Sequence, residues 1–326
     1  MPTTRTRLPI RLAAGSGRTF GVDDLACAAA TYLGCWEDEG LDVTWTPVHG
    51  GVAAVQAVLD GTVDVGYGGL GPALRFRAQG APVRIVVSMA RALAQQVVAQ
   101  PRLARPMDLR GASWAIDGRG ALSHHMARLV VRALGIAESE IDWQVVGPPP
   151  ERIARLLEGS IDVSLIRVEE ATALTRDPAN ELHTLLGFAE LKKLVPVQPH
   201  GVLSTTEAYE AEHADELHRL TRGMIRASRA LADDFSAFRK VYDRSVTVSL
   251  PDDAVRAIWR QEVEAGGFAV NGEMTARHWQ AQLDSLREIE PDLRPLGQEE
   301  VLAELFVTAA LEELGTDPGP DMPEGA

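Results

Sequence analysis

One phrase occurs twice in this chain. Leu59-Asp60-Gly61-Thr62-Val63-Asp64-Val65 is matched by Leu157-Glu158-Gly159-Ser160-Ile161-Asp162-Val163, with apolar, acidic, glycine and β-branched positions in the same order. Each copy closes a run with helical spacing and opens a short β-branched run, so each marks a helix-to-strand corner. The copies stand too far apart for a solenoid, whose units recur every ~20–50 residues. Two equivalent corners of two similar α/β lobes are the expectation.

The surrounding pattern agrees. LPIRLAA (8–14) alternates as a strand and leaves through Gly15-Ser16-Gly17. Asp23 or Asp24 then suits the start of a helix that runs to Gly40. LDVTWTPV is a second strand, Val52 to Leu59 a short helix, and Val63 to Tyr67 a buried strand ending in Gly68-Gly69. Pro72 to Gln79 is a helix, and VRIVVSM a further strand. From about Gln95 the alternation restarts: QQVVAQ, then DLRGASWAID, the helix SHHMARLVVRAL, IDWQVV, a helix opened by Pro148-Pro149-Pro150, and IDVSLIR. The order predicts mostly parallel sheets with helices on both faces. Beyond about Val195 helices dominate to Leu314, and GTDPGPDMPEGA reads as a disordered acidic tail. The expected division is 1–92 for the first lobe, 93–194 for the second, 195–314 for a return to the first with C-terminal helices, and 315–326 for the tail.

Length and composition narrow the function. A chain of 326 residues is long enough for two lobes with a sizeable core, and 45% hydrophobic against 24% charged residues is ordinary for a globular protein. No apolar run approaches the ~18–20 residues of a bilayer span. A formal charge of −14 argues against nucleic acid as a partner, because such binding needs a basic surface. The N-terminus has arginines without a following apolar stretch, so the expectation is a cytoplasmic protein, or a periplasmic or extracellular one if the natural start lies upstream. Cys27 and Cys35 lie two turns apart on the predicted helix, roughly 12 Å, too far for a disulfide. Glu37-Asp38-Glu39 reads as a solvated helix end.

Several motifs in order carry a family resemblance: Gly34 to Val43, Gly61 to Asp64 and Pro72 to Pro82, then DLRGASWAID, GALSHHMARLVVRALGI and Gly159 to Val163. Over roughly residues 8 to 245 the chain resembles type II periplasmic solute-binding proteins, specifically the aliphatic-sulfonate, taurine and nitrate binders, a group that includes proteins like the thiamine-pyrimidine synthases. The resemblance implies a periplasmic-binding-protein-like type II fold, two α/β lobes closing on a small ligand in the cleft. An ABC permease is the implied partner if the protein is exported. No cofactor is implied.

In open α/β sheets ligands collect beyond the carboxyl ends of strands. That rule nominates Ser16, Arg18 and Thr19 after the first strand, Gly68 and Gly69 after the first copy of the phrase, Ser88 after VRIVVSM, Ser123 and His124 at a helix start, and Arg167 after the second copy. Gly68-Gly69 suits either close backbone approach or a tight turn. Ser123 suits helix capping, and by resemblance also donation to an anionic group. Arg167 suits bidentate recognition of a carboxylate, sulfonate or phosphate, or a salt bridge to Glu169 or Glu170. Adjacent His124 and His125 point about 100° apart on a helix, which leaves them unable to share a metal, so none is expected. Binding of a small organic anion (a sulfonate, carboxylate or heteroaromatic) in the interlobe cleft is therefore the expected function, with a cytosolic desulfinase-, decarboxylase- or other lyase- or hydrolase-like enzyme as the alternative. Against specific chemistries, Gln56 and Gly66 fill the places where the desulfinases have their catalytic His and Arg, neither cysteine aligns with their nucleophile, and the Cys-rich run of the pyrimidine synthases is absent.

Overall fold

A computed structural model describes residues 7–15, 20–119, 121–195 and 201–318. In chain order the first segment forms β1 (Leu8–Ala14), α1 (Leu25–Tyr32), α2 (Cys35–Asp38), β2 (Leu41–Pro47), α3 (Gly50–Leu59), β3 (Val65–Gly69), α4 (Leu70–Ala78) and β4 (Val83–Ala90). The second forms β5 (Gln95–Ala99), β6 (Ser113–Ile116), α5 (Leu122–Ala133), β7 (Asp142–Val145), α6 (Pro149–Leu157), β8 (Val163–Arg167), α7 (Val168–Arg176), β9 (His183–Leu186) and α8 (Phe188–Leu194). The chain then adds β10 (Gly201–Thr206), α9 (Glu207–Glu212), α10 (Ala214–Asp233), α11 (Phe235–Ser245), α12 (Asp252–Glu264), α13 (Ala276–Ile289), α14 (Gln298–Val301) and α15 (Glu304–Leu314).

These elements fall into two compact units. Among the described residues, the first holds those up to Leu93, those from 201 to Thr247 and those from Glu262 on; the second holds Ala94 to 195 and Val248–Gln261. Residues 248–261 thus depart from the expected division, which kept all of 195–314 with the first lobe. One tie is visible: Arg176 on α7 pairs with Asp253 on α12 at 2.9 Å.

Each unit is built on a five-stranded sheet, ordered β2-β1-β3-β10-β4 in the first and β7-β6-β8-β5-β9 in the second. Parallel pairing links β1 with β2 and β3, and β6 with β7 and β8. One strand in each sheet runs against the rest: β10 between β3 and β4, and β5 between β8 and β9. Hydrophobic period marks a strand but not its direction, so these reversals were not legible in the sequence. The open edge of β4 is covered by the C-terminal segment: Ser88 and Arg91 donate N–H bonds to Gly272 and Gly267 (both 2.8 Å), and Ala303 donates to Ile85. A core of Leu70, Leu74, Val83 and Ile85 with Trp279, Leu283 and Leu302 ties α13 to the first sheet. Each leucine so buried contributes roughly 1.5–3 kcal/mol.

Both copies of the repeated phrase make the expected corner, by the same hydrogen bonds. At the end of α3, Gly61 N–H bonds to Val58 and Thr62 N–H to Ala57; at the end of α6, Gly159 bonds to Leu156 and Ser160 to Arg155. Gly61 (φ 68°) and Gly159 (φ 70°) hold the left-handed conformation that this helix ending requires. The aspartate after each glycine then grips the neighbouring strand. Asp64 accepts the Arg11 N–H at 2.7 Å, and Asp162 accepts the Ser113 N–H at 2.8 Å and its hydroxyl at 2.9 Å. The return bonds run from Asp64 N–H to Arg11 O and from Asp162 N–H to Ser113 O.

The helix expected across 23–40 is broken at Gly34, whose φ of 78° ends α1 and starts α2. Cys27 and Cys35 therefore lie on different helices, and both are free. Asp24 is the N-cap residue of α1, as expected, but its side chain makes no capping bond there and instead accepts the N–H of Gly21 in the turn before it. Glu39, expected in solvent, is 3% exposed and is held by Arg222 (2.8 Å from Nε) and Arg226 (2.6 Å) on α10. The first residues of the expected tail are fastened, since Asn271 and Asp317 exchange bonds of 2.8 and 2.9 Å; residues 319–326 lie outside the described residues.

Burial raises the Asp162 carboxyl pKa, but the bonds from Ser113 and Arg102 outweigh it and hold the group below its usual range. Its stabilising contribution is thus fully present above the unfolded value of about 3.9 and is lost as pH falls through the lower folded value. Asp162→Ala should cost about 1–3 kcal/mol in urea unfolding at neutral pH, because it removes the acceptor of the part-buried Ser113 N–H and hydroxyl. The gap should close in acid below that window, and equal stabilities at neutral pH would contradict the role.

Candidate functional site

The carboxyl edge of the first sheet is made of glycine. β1 leads to Gly15, β3 ends in Gly68 and Gly69, and α3 and α4 start at Gly50 and Leu70. Hydrogen bonds from Gly15 N–H to Tyr67 (3.0 Å) and from Gly50 N–H to Gly15 (2.8 Å) draw β1, β3 and the amino end of α3 together. Space explains several of the glycines. A Cβ on Gly68 would stand 2.8 Å from Gly51 Cα, and one on Gly66 2.9 Å from Ala54 O, so packing of α3 onto β3 requires both. Gly69 and Gly71 differ. Among the described residues a Cβ on either meets no heavy atom within 4 Å, and Gly69 has an ordinary φ of −69°. None of the described residues explains why these two are glycine, and Gly71 sits in the first turn of a helix, where glycine is a poor former. First-turn N–H groups have no acceptor within their own helix, so the ends of α3 and α4 offer amides and a partial positive charge here.

Of the other candidates in this unit, Ser88 shares a cross-strand row with Gly68 through Val202. Its side chain is buried, however, and helps line a separate cavity of about 150 Å³ with Gly272, Thr308 and Leu311. Ser16, Arg18 and Thr19 lie outside the described residues. Gln56 bonds to Asp60 on the surface of α3.

The carboxyl edge of the second sheet carries charge instead. Arg167 is the last residue of β8 and the N-cap of α7, and is half-buried. Nearby stands an arginine that sequence reasoning missed. Arg152 on α6 is 4% exposed, donates from Nη1 to Ser164 Oγ (3.1 Å) and Leu165 O (2.6 Å), and places Nε 3.3 Å from Asp117 Oδ1. Its signal was available: Arg152 and Leu156 are four residues apart, so Arg152 occupies the buried stripe of α6. Burial lowers the Arg152 pKa, with Asp117 and Glu170 opposing, and burial raises the Glu170 carboxyl against the pull of Arg167 and Arg152. Asp117, Arg152, Arg167 and Glu170 thus form one electrostatic cluster.

Ser123 and His124 make contacts within the second unit. Ser123 lies inside the first turn of α5, where Ala121 is the N-cap, and its hydroxyl accepts the Asp117 N–H at 3.0 Å. This bond pins the loop after β6. His124 is buried and meets Trp143 of β7 edge-on at 5.0 Å. The strand order sets β7 and β8 on opposite sides of β6, so His124 and Arg167 serve different parts of the edge. Among the described residues no group of histidine, cysteine and acidic side chains is arranged to hold a metal, and no helix is long and apolar enough to cross a membrane. Burial raises both thiols, that of Cys27 strongly.

Two parallel-cored units of this kind define a type II periplasmic-binding-protein-like fold, and solved structures agree. The periplasmic aliphatic sulphonate binding protein SsuA from Escherichia coli superposes with a TM-score of 0.68 at 15% identity, covering 92% of this chain and 99% of that one. The periplasmic sulfonate-binding protein SsuA from Methylobacillus flagellatus KT gives 0.72 at 16%, covering 95% and 96%. The periplasmic nitrate-binding protein NrtA from Synechocystis PCC 6803 gives 0.67 at 12%, covering 95% and 90%. No curated protein matches the sequence. The NMT1/THI5-like family model matches residues 25–234, well over half of the chain, and the protein belongs to that family.

Burial, with Arg128 and Arg119 adding to it, holds the His124 imidazole below its usual range despite Glu138. In an NMR titration His124 should therefore protonate below the ordinary histidine value of about 6.5. A midpoint at or above that value would show a solvated ring and contradict the packing on Trp143.

Proposed function

We propose that this protein binds a small organic anion, with backbone amides at the glycine-lined edge of the first sheet as its primary contact. The observation that carries the reading is Gly69 and Gly71, glycines that no neighbour among the described residues requires, at the amino end of α4 and beside that of α3. Absence of a side chain there keeps the amides open to a ligand, and helix amino ends favour negative charge. Arg167, which occupies the matching position of the second unit, carries a planar fork of donors that suits an anion at that unit's own edge. The sulphonate- and nitrate-binding neighbours share the fold and support an anionic ligand, and delivery to an ABC permease is the use that accompanies it.

Calorimetry with ethanesulfonate, nitrate and acetate tests the reading. At least one should bind the parent protein. Gly69→Ala places a methyl group where no described atom stands within 4 Å, so it should leave the melting temperature unchanged while weakening the bound anion roughly tenfold, about 1.4 kcal/mol. Unaltered affinity in that variant, or no binding of any anion by the parent, would overturn the proposal.

A further inference from the structure

The charged edge of the second unit is balanced. Asp117 and Glu170 stand against Arg152 and Arg167, two carboxylates for two guanidiniums. An anion that settles at the Arg167 fork therefore adds a negative charge to a cluster whose charges already cancel. Water screens such an excess poorly among half-buried side chains, so a proton on one of the two carboxylates is the least costly remedy.

Asp117 is the poorer place for it. Its Oδ1 lies 3.3 Å from Nε of the buried Arg152, and a proton there would leave a buried guanidinium without its counter-charge. Glu170 is the better one. It is the third residue of α7, in the turn that Arg167 caps. It is half-buried, and its Oε2 has no hydrogen-bond partner among the described residues. Buried polar atoms in folded proteins are nearly always bonded, so this oxygen calls for a partner that arrives with the ligand. Burial already favours the neutral form of the Glu170 carboxyl, and the pull of Arg167 and Arg152 opposes it. An anion beside Arg167 cancels part of that pull.

The surroundings leave the choice to these groups. α7 packs on β5, β8 and β9. β5 has no charged residue and sets Gln95 beside Arg167, which is the contribution of β8. β9 brings His183, but next to Ala99 at the opposite end of β5. Arg152 arrives from α6, Glu169 is the buried neighbour on α7, and Arg176 at the far end of that helix is paired with Asp253.

We infer that Glu170 takes up one proton from solvent as the anion binds and donates it in a hydrogen bond to that anion beside the Arg167 fork, so that capture at this edge is coupled to protonation. Proton uptake rests on the anion-binding reading and adds to it a titratable partner. Binding that takes up a proton strengthens as pH falls, by up to about tenfold per pH unit, and levels off where Glu170 is protonated without the ligand. Calorimetry on the full chain with ethanesulfonate, an anion at every pH used, reads this linkage between about pH 5 and 8. The parent should bind severalfold tighter at the acid end, and titrations in buffers of different ionisation enthalpy should show a fraction of a proton taken up per anion. Glu170→Gln supplies a neutral donor of the same shape at every pH. It should bind at the alkaline end nearly as tightly as the parent does in acid, with most of the pH slope gone. A slope as steep in Glu170→Gln as in the parent would overturn the coupling and leave anion binding standing. If that variant does not fold, the parent alone decides. Binding without proton uptake, or a Glu170 carboxyl ¹³C shift indifferent to the anion, would overturn the coupling equally. Failure of ethanesulfonate to bind at any pH would instead overturn the anion reading itself.

Discussion

An aspartate side chain that accepts the N–H of the neighbouring strand sets the register on which each sheet depends. Parallel strands have no hairpin to fix their pairing, and a slip of one residue would turn every side chain to the wrong face. Asp64 locks β3 against β1 through Arg11, and Asp162 locks β8 against β6 through Ser113. In each case a left-handed glycine delivers the aspartate to the strand, three residues earlier in the chain. The clamp sits at the amino end of a five-residue strand, so it fixes what emerges about 17 Å away at the carboxyl edge.

From that shared clamp the two units diverge at the far end. Five residues beyond Asp64 stands Gly69, and five beyond Asp162 stands Arg167; each ends its strand and is the N-cap of the following helix. One position thus exposes bare backbone and its equivalent presents a guanidinium. The surroundings follow suit. Glycines let α3 close onto β3 in the first unit, whereas the second buries Arg152 against Ser164 and balances it with Asp117 and Glu170. Conserving the scaffold end of a strand while varying its carboxyl end is how one fold hosts different ligands.

Local features were legible in the sequence because local chemistry determines them. The two corners, the proline-started α6 and the alternation of strand and helix all rest on residues within a few positions of one another. What escaped was set by distant partners. Glu39 sits in an acidic run that reads as solvated, yet its partners Arg222 and Arg226 arrive from α10. Gly34 ends a helix that its flanking apolar spacing continues. Strand direction in β5 and β10, and the place of residues 248–261 in the second unit, depend on how the chain returns rather than on any local pattern. Among the candidate site residues, Gly68, Gly69 and Arg167 stand at the carboxyl edges. Ser123 and His124 are engaged with Asp117 and Trp143, and Ser88 is buried by the C-terminal segment.

The most direct measurement is an amide-resolved NMR titration of the ¹⁵N-labelled protein with ethanesulfonate. Anion binding at the glycine edge requires the largest shifts in the first unit at Gly51, Val52, Gly69, Leu70 and Gly71, the amides at the starts of α3 and α4. Saturable shifts that leave those amides unmoved, or a spectrum that does not change, would contradict it.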